Sequence, residues 1–172
     1  SPIDEFNVAE NIYLQIINCA KKYVYITTPY LILDNEMLTA ICLAAQSGVD
    51  VRIITPYVPD KWYVHAVSRS HYQPLIEAGV KIYEYTPGFV HAKMFVSDDR
   101  LAIVGSANMD YRSLYLHFEC GTLLIDTPAL ADLKADCLDT IAKSRRMKPE
   151  DVRPGFWGRL LSAVLRVFAP LM

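Results

Sequence analysis

Three short apolar segments alternate with segments of helical periodicity in the first half of the chain. Residues 23–28, 49–55 and 80–85 have the length and the apolar, β-branched content of buried strands. Strands that are separated by helices pair in parallel, because each helix returns the chain to the same end of the sheet. The alternation therefore predicts an α/β fold.

The helices of this half are predicted over residues 12–20, 34–45 and 61–78. Asp34 is a favourable N-cap for the second helix, because its carboxylate accepts hydrogen bonds from the free N–H groups of the first turn. Proline lacks the N–H that a helix interior needs, so the third helix is expected to break near Pro74.

The second half of the chain follows a different pattern, in which strands succeed one another directly. Residues 90–96 and 101–104 are predicted strands on either side of a tight turn at residues 98–100. Residues 116–125 form a further apolar strand, and a helix is predicted over residues 128–146. Together the two halves predict a central mixed, largely parallel sheet flanked by helices.

The net charge of −2 conceals two regions of opposite charge. Residues 1–142 carry a net charge of −7, whereas residues 143–172 carry +5. Nucleic-acid binding needs a cationic surface that displaces counterions from phosphates, so the acidic body argues against a nucleic-acid partner. With 172 residues, 52% of them hydrophobic, the chain is long enough for one domain with a sizeable core.

The four cysteines lie far apart, with no CxxC pair and no Cys/His spacing suited to zinc. We therefore expect buried free thiols in a reducing compartment and no metal site. The acidic first residues do not resemble a signal peptide, and no apolar run is long enough to predict a membrane-spanning helix. The chain does not begin with Met, so a complete protein and a fragment of a longer one both stay open.

The segment HAKMFVSD, residues 91–98, has the pattern H-x-K-x4-D. On a strand, side chains two residues apart share a face, so His91 and Lys93 are expected to project together. The opposite, core-facing side is then expected to hold Ala92, Met94 and Val96.

A second polar segment, GSAN at residues 105–108, follows the predicted hairpin. Its glycine lets the backbone turn close to a ligand, and Ser106 and Asn108 add a hydroxyl and a carboxamide. An imidazole, an ammonium group and these two donors would converge on one site. The set suits a phosphodiester, because a near-neutral acid or nucleophile acts at phosphorus while the donors stabilise the phosphate oxygens.

HAKMFVSD, six residues and then GSAN resemble the HKD signature of the phospholipase D superfamily. The longer segment HAKMFVSDDRLAIVGSANMDYRSLYLHFE is similar to bacterial cardiolipin synthases of that superfamily, and the likeness covers nearly the whole chain. Those enzymes carry two HKD motifs, and this chain resembles their C-terminal half, which carries one. The resemblance implies a phospholipase D-like catalytic domain over residues 1–148 and a basic amphipathic segment over residues 149–172.

The resemblance also implies a mechanism that needs no metal and no other cofactor. The histidine of one motif attacks phosphorus to form a phosphohistidine, and the histidine of the other motif protonates the leaving alcohol. A second alcohol then attacks, so that the phosphatidyl group is transferred. His91 corresponds by position to the second-motif histidine, which is usually assigned the general acid/base role.

The other site residues take their roles from the same resemblance. Lys93 and Asn108 would hold phosphate oxygens, and Ser106 would line the phosphate pocket. Glu119 would accept a hydrogen bond from the catalytic imidazole and so fix its tautomer. Asp98, which ends the motif, would support the site without touching the phosphate.

Three further residues near the motif are candidates, and two of them, Tyr30 and Arg112, have two interpretations each. His117 stands where cardiolipin synthases usually have Asn, and on a strand it would share a face with Glu119 and serve as a donor to the site. Tyr30 lies at the end of a strand, where α/β proteins bind ligands, and is equally compatible with a packed turn. Arg112 could pair with Asp110 or reach the phosphate.

Residues 155–168, GFWGRLLSAVLRVF, place apolar and polar side chains on opposite sides of a helical wheel. Together with the basic residues just upstream, they resemble a helix that lies in an anionic membrane interface. A helix docked on the domain would have the same pattern, but Trp157 and the arginines favour the membrane.

These observations favour a phosphatidyl transferase at the bacterial cell membrane, which converts two phosphatidylglycerol molecules into cardiolipin and glycerol. Its expected partners are the phospholipid, the membrane surface, and either the N-terminal HKD half of the same protein or a second copy of the chain. The alternatives are a phospholipase D-type phosphodiesterase, a homodimeric single-HKD nuclease and a lipid-binding module with a degenerate site. Without a second motif, the chain is expected to be inactive unless it dimerises.

Overall fold

The computed structural model describes residues 5–152 and 164–165, and in this part of the chain helices flank a seven-stranded sheet. The strands are β1 Tyr23–Thr27, β2 Asp50–Pro56, β3 Lys81–Tyr85, β4 Met94–Ser97, β5 Leu101–Gly105, β6 Gly121–Ile125 and β7 Ser144–Arg146. The α-helices are α1 Val8–Cys19, α2 Asn35–Gln46, α3 Trp62–Ser70, α4 Tyr72–Glu77 and α5 Ala129–Ala142. Two short turns of other helix types are a π-helical segment, Arg112–Leu116, and a 3₁₀ turn, Pro149–Asp151.

The strands lie across the sheet in the order β6-β5-β4-β1-β2-β3-β7. The central strands β1, β2 and β3 pair in parallel, with Ile26 opposite Ile53 and Ile53 opposite Ile82. The pairs β1–β4, β4–β5, β5–β6 and β3–β7 are antiparallel. The α/β fold with a mixed sheet is confirmed, but parallel pairing is confined to the three strands that helices connect, so the sheet is less parallel than predicted.

Strand β1 lies in the middle of the core and is buried at all five of its positions. Val24 and Ile26 belong to the larger apolar cluster on one face of the sheet, whereas Tyr23 and Tyr25 belong to a second cluster on the other. Successive side chains of a strand point to opposite faces, and helices cover both faces here. The continuous apolar sequence of β1 follows from this two-sided burial.

The start of α2 agrees with its predicted cap, whereas the predicted break near Pro74 lies further upstream. Asp34 caps α2, because its Oδ1 accepts a hydrogen bond from the N–H of Met37 at 2.8 Å. The helix predicted over residues 61–78 is divided at His71 into α3 and α4, three residues before Pro74. A proline ring clashes with the carbonyl group four residues earlier, here that of Ser70, so the interruption lies upstream of the proline itself.

Two predictions for the second half of the chain are wrong. The helix predicted over residues 128–146 ends at Ala142, and Ser144–Arg146 instead pair with the edge strand β3. Residues 116–125 are not one strand, because a π-helical segment extends to Leu116 and β6 begins only at Gly121. In both places a backbone pairing with a distant strand decides the structure, and the local apolar pattern does not contain it.

The four cysteines are free thiols, as predicted, but their burial differs from the prediction. Cys137 is buried, whereas Cys42 is half-buried and Cys19 and Cys120 are exposed. Cys19 is the last residue of α1 and Cys120 precedes β6, so both stand at the surface where an element ends or begins.

The described residues include no helix that is long and apolar enough to cross a lipid bilayer. The amphipathic segment predicted over residues 155–168 lies outside the described residues except for Val164 and Leu165. Leu165 packs against a small apolar cluster of Ile32, Val64 and Val67.

One hydroxyl group joins three elements next to the π-helical segment. The Tyr115 hydroxyl lies 2.8 Å from Glu10 Oε1 of α1 and 2.7 Å from Oδ2 of the α2 cap Asp34. Burial raises the pKa of Glu10, and its hydrogen bond with Asp34 raises that pKa further. The phenol therefore joins the two buried carboxyl groups, and its single O–H can donate to one of them at a time.

We expect Tyr115→Phe to lower the free energy of unfolding by about 1–2 kcal/mol, because two buried carboxyl groups lose that donor. Urea denaturation measures the loss. Tyr111→Phe is the matched control, because Tyr111 stacks on Tyr115 and its hydroxyl has no hydrogen-bond partner among the described residues. An equal effect of both substitutions would contradict the role of the Tyr115 hydroxyl.

Candidate active site

His91 and Lys93 lie in an irregular segment that leads into β4. Lys93 Nζ is 3.0 Å from both ring nitrogens of His91 and donates a hydrogen bond to the His91 carbonyl oxygen at 2.8 Å. The strand predicted over residues 90–96 begins only at Met94, so Ala92 is exposed and does not face the core as predicted. Because the ammonium group turns back over the imidazole, both side chains still meet at one place.

Asp98 lies at the other end of β4, about 16 Å of extended chain from Lys93 at the usual strand rise. Its carboxylate accepts hydrogen bonds from the N–H groups of Lys21, Lys22 and Tyr23 at 2.6–2.9 Å. Burial acts to raise the pKa of Asp98, but these three hydrogen bonds outweigh it and hold the pKa below its ordinary value. The structure therefore joins Asp98 to the start of β1 and does not bring it to His91.

The loop after β5 brings Ser106 and Glu119 together. The Ser106 hydroxyl donates a short hydrogen bond to Glu119 Oε2 and accepts one from the N–H of Cys120 at 3.0 Å. Gly105 permits this approach, because a Cβ there would lie 2.5 Å from the Cys120 carbonyl oxygen. Within the described chain Glu119 is therefore hydrogen-bonded to Ser106 and not to His91.

Asn108 stands on a buried polar support. Its Nδ2 donates a hydrogen bond to Ser113 Oγ at 3.2 Å, and its buried Oδ1 has no hydrogen-bond partner among the residues that the structure describes. Asp110 accepts a hydrogen bond from the N–H of Ser113 at 2.8 Å, and burial raises the pKa of its carboxyl group. Asn108 is thus held in place by the first turn of the π-helical segment.

The charged groups around the motif act on one another. Burial lowers the pKa of Lys93, while the charges of Glu119 and Asp110 act in the opposite direction. The charge of Glu119 also contributes to the raised pKa of Asp110, after burial as the main cause. The carboxylates of Glu119 and Asp110 thus act on Lys93, and a hydrogen bond from the Gly105 N–H to the Lys93 carbonyl oxygen at 3.1 Å joins the HKD segment to the GSAN loop.

His117 is placed differently from the prediction. Residues 117–120 lie between the π-helical segment and β6, so His117 and Glu119 do not share a strand face. Nevertheless His117 Nδ1 is 3.8 Å from Glu119 Oε1. The imidazole therefore adjoins the site through the Glu119 carboxylate.

A cavity of about 310 Å³ opens beside Asn108. The sequence pointed to four of the residues that line it, which are Tyr30, Asn108, Arg112 and His117. It did not point to Lys61, Tyr63 or Ser113. Lys61 and Tyr63 come from the start of α3, which is distant in sequence from the motif, and no local pattern marks them.

The two ambiguous residues at the cavity have definite surroundings. The Tyr30 hydroxyl donates a hydrogen bond to Asp60, so Tyr30 belongs to the wall of the cavity. Arg112 forms no ion pair with Asp110 among the described residues, because Asp110 is turned to the N–H of Ser113. In the same part of the chain no three His, Cys, Asp or Glu side chains are grouped so that they could hold a metal ion.

The fold and the HKD arrangement define a phospholipase D-like domain. A crystal structure of Nuc, a phospholipase D family member from Salmonella typhimurium, superposes with a TM-score of 0.72 at 18% sequence identity and covers 81% of this chain and 91% of its own. The family model described as "Cardiolipin synthase, PLD-like domain" matches residues 13–138. The chain belongs to this family.

Relatives with higher sequence identity are much longer than this chain. A cardiolipin synthase of Halalkalibacterium halodurans is 38% identical over 172 residues, which are 99% of this chain and 34% of the relative. An uncharacterized protein of Streptococcus mutans is 50% identical over 173 residues, which are 100% of this chain and 38% of the relative. The chain thus spans little more than a third of the relatives that it matches.

Proposed function

We propose that the chain is one half of a phosphatidyl transferase of the cardiolipin synthase type, which joins two phosphatidylglycerol molecules and releases glycerol. The observation that carries this proposal is the match of residues 13–138 to the cardiolipin synthase family model. The HKD and GSAN segments adjoin in the fold, because the N–H of Gly105 donates a hydrogen bond to the Lys93 carbonyl oxygen at 3.1 Å. The proposed substrate class, a phospholipid, is taken from the relatives that are named cardiolipin synthases.

The proposed reaction proceeds in two displacements at phosphorus. A histidine of the other HKD half, which this chain does not contain, attacks the phosphate of the first phosphatidylglycerol, so that a P–N bond forms and the P–O bond to glycerol breaks. His91 gives its proton to the departing glycerol oxygen. The hydroxyl oxygen of the second phosphatidylglycerol then attacks, the P–N bond breaks, and His91 receives the hydroxyl proton.

The remaining residues stabilise the phosphate during both displacements. Lys93 and Asn108 would donate hydrogen bonds to its oxygens, and Ser106 would line the same pocket. Donors that are held in place stabilise the negative charge that develops on these oxygens in the transition state. Glu119 would orient the site through Ser106, its hydrogen-bond partner, and Asp98 would act through the start of β1. No residue of this scheme requires a metal or another cofactor.

The HKD half that this chain lacks is proposed to be the N-terminal half of the same protein. The alternative is another copy of this chain. The length of the relatives, about three times that of this chain, supports the first choice. Leu116 and Phe118 stand beside Glu119 with 55% and 73% of their surface exposed. Large exposed apolar side chains next to the site are what a covering domain would bury.

Two other reactions use the same residues. A phosphodiesterase of the phospholipase D type would let water take the place of the second alcohol. A homodimeric single-HKD nuclease would use these residues on a nucleic acid, but the net charge of −7 over residues 1–142 disfavours that partner.

Residues 149–172 are proposed to form a basic segment separate from the catalytic domain over residues 1–148. This segment would bind the bacterial cell membrane through residues 155–168. Deleting residues 155–172 from the full-length protein is expected to weaken its binding to phosphatidylglycerol vesicles at least tenfold, because the apolar face and its arginines are lost. Vesicle sedimentation measures binding, and circular dichroism reports the fold. Unfolding of the truncated protein would instead favour docking on the domain, which the contact of Leu165 with the Ile32 cluster also allows.

The proposed function is tested by incubating the full-length protein with vesicles of phosphatidylglycerol and, separately, of phosphatidylcholine. We expect cardiolipin and free glycerol from the first lipid and no choline from the second. Release of choline, or cleavage of single-stranded DNA instead of lipid, would overturn the assignment.

A further inference from the structure

Two cationic side chains, Lys61 and Arg112, and the imidazole of His117 line the cavity beside Asn108. Lys61 comes from the start of α3, Arg112 opens the π-helical segment and His117 follows that segment. All three are exposed on the cavity rim, and Tyr30 and Tyr63 add two phenol groups. The proposed catalytic scheme uses none of these residues.

Two of these side chains have no carboxylate partner in the described part of the chain. Most basic side chains of the described chain form ion pairs, among them Arg52, Arg69, Lys81, Arg100, Lys134, Lys143, Arg145 and Lys148. Lys61 and Arg112 form none in this part of the chain, although the body around them carries a large excess of acidic residues. Lys61 Nζ instead lies 5.9 Å above the ring of Tyr30.

The acidic groups of the cavity are occupied by other donors. Asp110, a buried residue of the cavity lining, accepts a hydrogen bond from the N–H of Ser113, and Asp60, which precedes Lys61, accepts one from the Tyr30 hydroxyl. Lys61 and Arg112 are therefore left to face an anion that enters the cavity, and His117, which lies 3.8 Å from Glu119 Oε1, lines the same cavity. Guanidinium and ammonium groups together favour phosphate or carboxylate oxygens.

The position of the cavity decides which anion fits. Asn108, a proposed donor to the reacting phosphate, is also part of the cavity wall, so a second anion here would lie directly beside the first. In cardiolipin two phosphates are joined by a single glycerol, and the second phosphate belongs to the molecule whose hydroxyl attacks. A site that makes this product must hold both phosphates next to each other.

We propose that Lys61, Arg112 and His117 bind the phosphate of the acceptor phospholipid and thereby aim its terminal hydroxyl at the reacting phosphorus. This inference rests on the proposed function and adds the acceptor site to it. The acceptor hydroxyl forms the new P–O bond while the P–N bond of the phosphohistidine breaks, and the proton goes to His91. A free alcohol without a phosphate would react at the same phosphorus without using these side chains.

The two acceptors, phosphatidylglycerol and free glycerol, are compared in one reaction mixture. The full-length protein receives phosphatidylglycerol vesicles together with excess radiolabelled glycerol, so that each phosphoenzyme yields either cardiolipin or labelled phosphatidylglycerol. For the double variant K61Q/R112Q we expect the ratio of cardiolipin to labelled phosphatidylglycerol to fall about tenfold or more, because charge-assisted hydrogen bonds to the acceptor are lost. The ratio does not depend on how much of the variant is folded.

Two further variants complete the test. K21Q/K22Q removes the same charge at the opposite end of the sheet, beside Asp98, and is expected to leave the ratio unchanged. K61R/R112K keeps the charge and is expected to retain most of the wild-type ratio. If K61Q/R112Q has the wild-type ratio of cardiolipin to labelled phosphatidylglycerol, the proposed acceptor site is wrong. The same holds if the variant loses both products to an equal extent. If the wild-type protein forms neither product, the proposed function itself fails.

Discussion

Replacing His91 by alanine in the full-length protein is expected to lower the rate of cardiolipin formation by about a hundredfold to ten-thousandfold, the usual contribution of a positioned acid or base. His91 is exposed and touches mainly Lys93 and the ring of Phe89, so the fold does not depend on it. Thermal unfolding of His91→Ala is therefore expected within about 0.5 kcal/mol of the wild type, as for other surface substitutions.

The acid role of His91 has a specific signature. A phosphodiester with a p-nitrophenol leaving group needs no protonation when its P–O bond breaks, so the loss of rate in His91→Ala is expected to be much smaller for this substrate. His91→Asn keeps the shape of the side chain but not its proton transfer, and it is expected to behave like the alanine variant. An equal loss with both substrates would contradict the acid role and favour His91 as the nucleophile.

Asp98→Ala is expected to lower the free energy of unfolding by about 2–4 kcal/mol, although Asp98 belongs to the HKD motif. The loss has two causes, which are the hydrogen bonds to Lys21, Lys22 and Tyr23 and the strain of alanine at a φ of 55°. Asp99→Ala is the matched control, because Asp99 has a φ of 59° and its exposed carboxylate accepts hydrogen bonds from two side chains, Lys134 and Tyr23, and, within the described residues, from no backbone N–H, so we expect about 1–2 kcal/mol. Urea denaturation measures both.

Asp98→Asn separates stability from chemistry, because asparagine tolerates the left-handed backbone and keeps one acceptor oxygen. At a temperature where it is folded, this variant is expected to retain cardiolipin formation within tenfold of the wild type. A loss as large as that of His91→Ala in a folded Asp98→Asn protein would place Asp98 in the chemistry and contradict its structural role.

The pH dependence of stability gives an independent reading of Asp98. Its pKa in the folded protein lies below the ordinary value of 3.8, so its contribution is present above that value and is lost as the pH falls through the folded pKa. The difference in stability between wild type and Asp98→Asn is therefore expected to be constant near neutral pH and to shrink below about pH 4. A difference that does not change in acid would contradict the hydrogen-bonded carboxylate.

The fold could be predicted where a local pattern and the final environment agree. The three parallel strands, the Asp34 cap and the turn at Asp98 and Asp99 belong to this class, because burial on both faces, a free helix end and a positive φ each leave a signal in the sequence. Strand β7 leaves none, because its three residues are polar and its pairing with β3 is made by backbone groups.

The candidate site divides in a similar way. The HKD and GSAN segments are contiguous, so the sequence predicted His91, Lys93, Ser106 and Asn108 together with the downstream Glu119, and their roles remain predictions. The cationic cavity could not be predicted, because Lys61 reaches it from α3 through the fold. The role of Asp98 was equally hidden, since its partners precede it by more than seventy residues.

The most direct measurement of the central claim is the fate of each phosphatidyl group in water enriched in oxygen-18. The full-length protein is incubated with phosphatidylglycerol vesicles, and cardiolipin, glycerol and phosphatidic acid are quantified by mass spectrometry. A phosphatidyl transferase predicts one glycerol released for each cardiolipin formed, with no oxygen-18 in the phosphates. Phosphatidic acid that carries oxygen-18 as the main product would contradict transfer and assign the domain to hydrolysis.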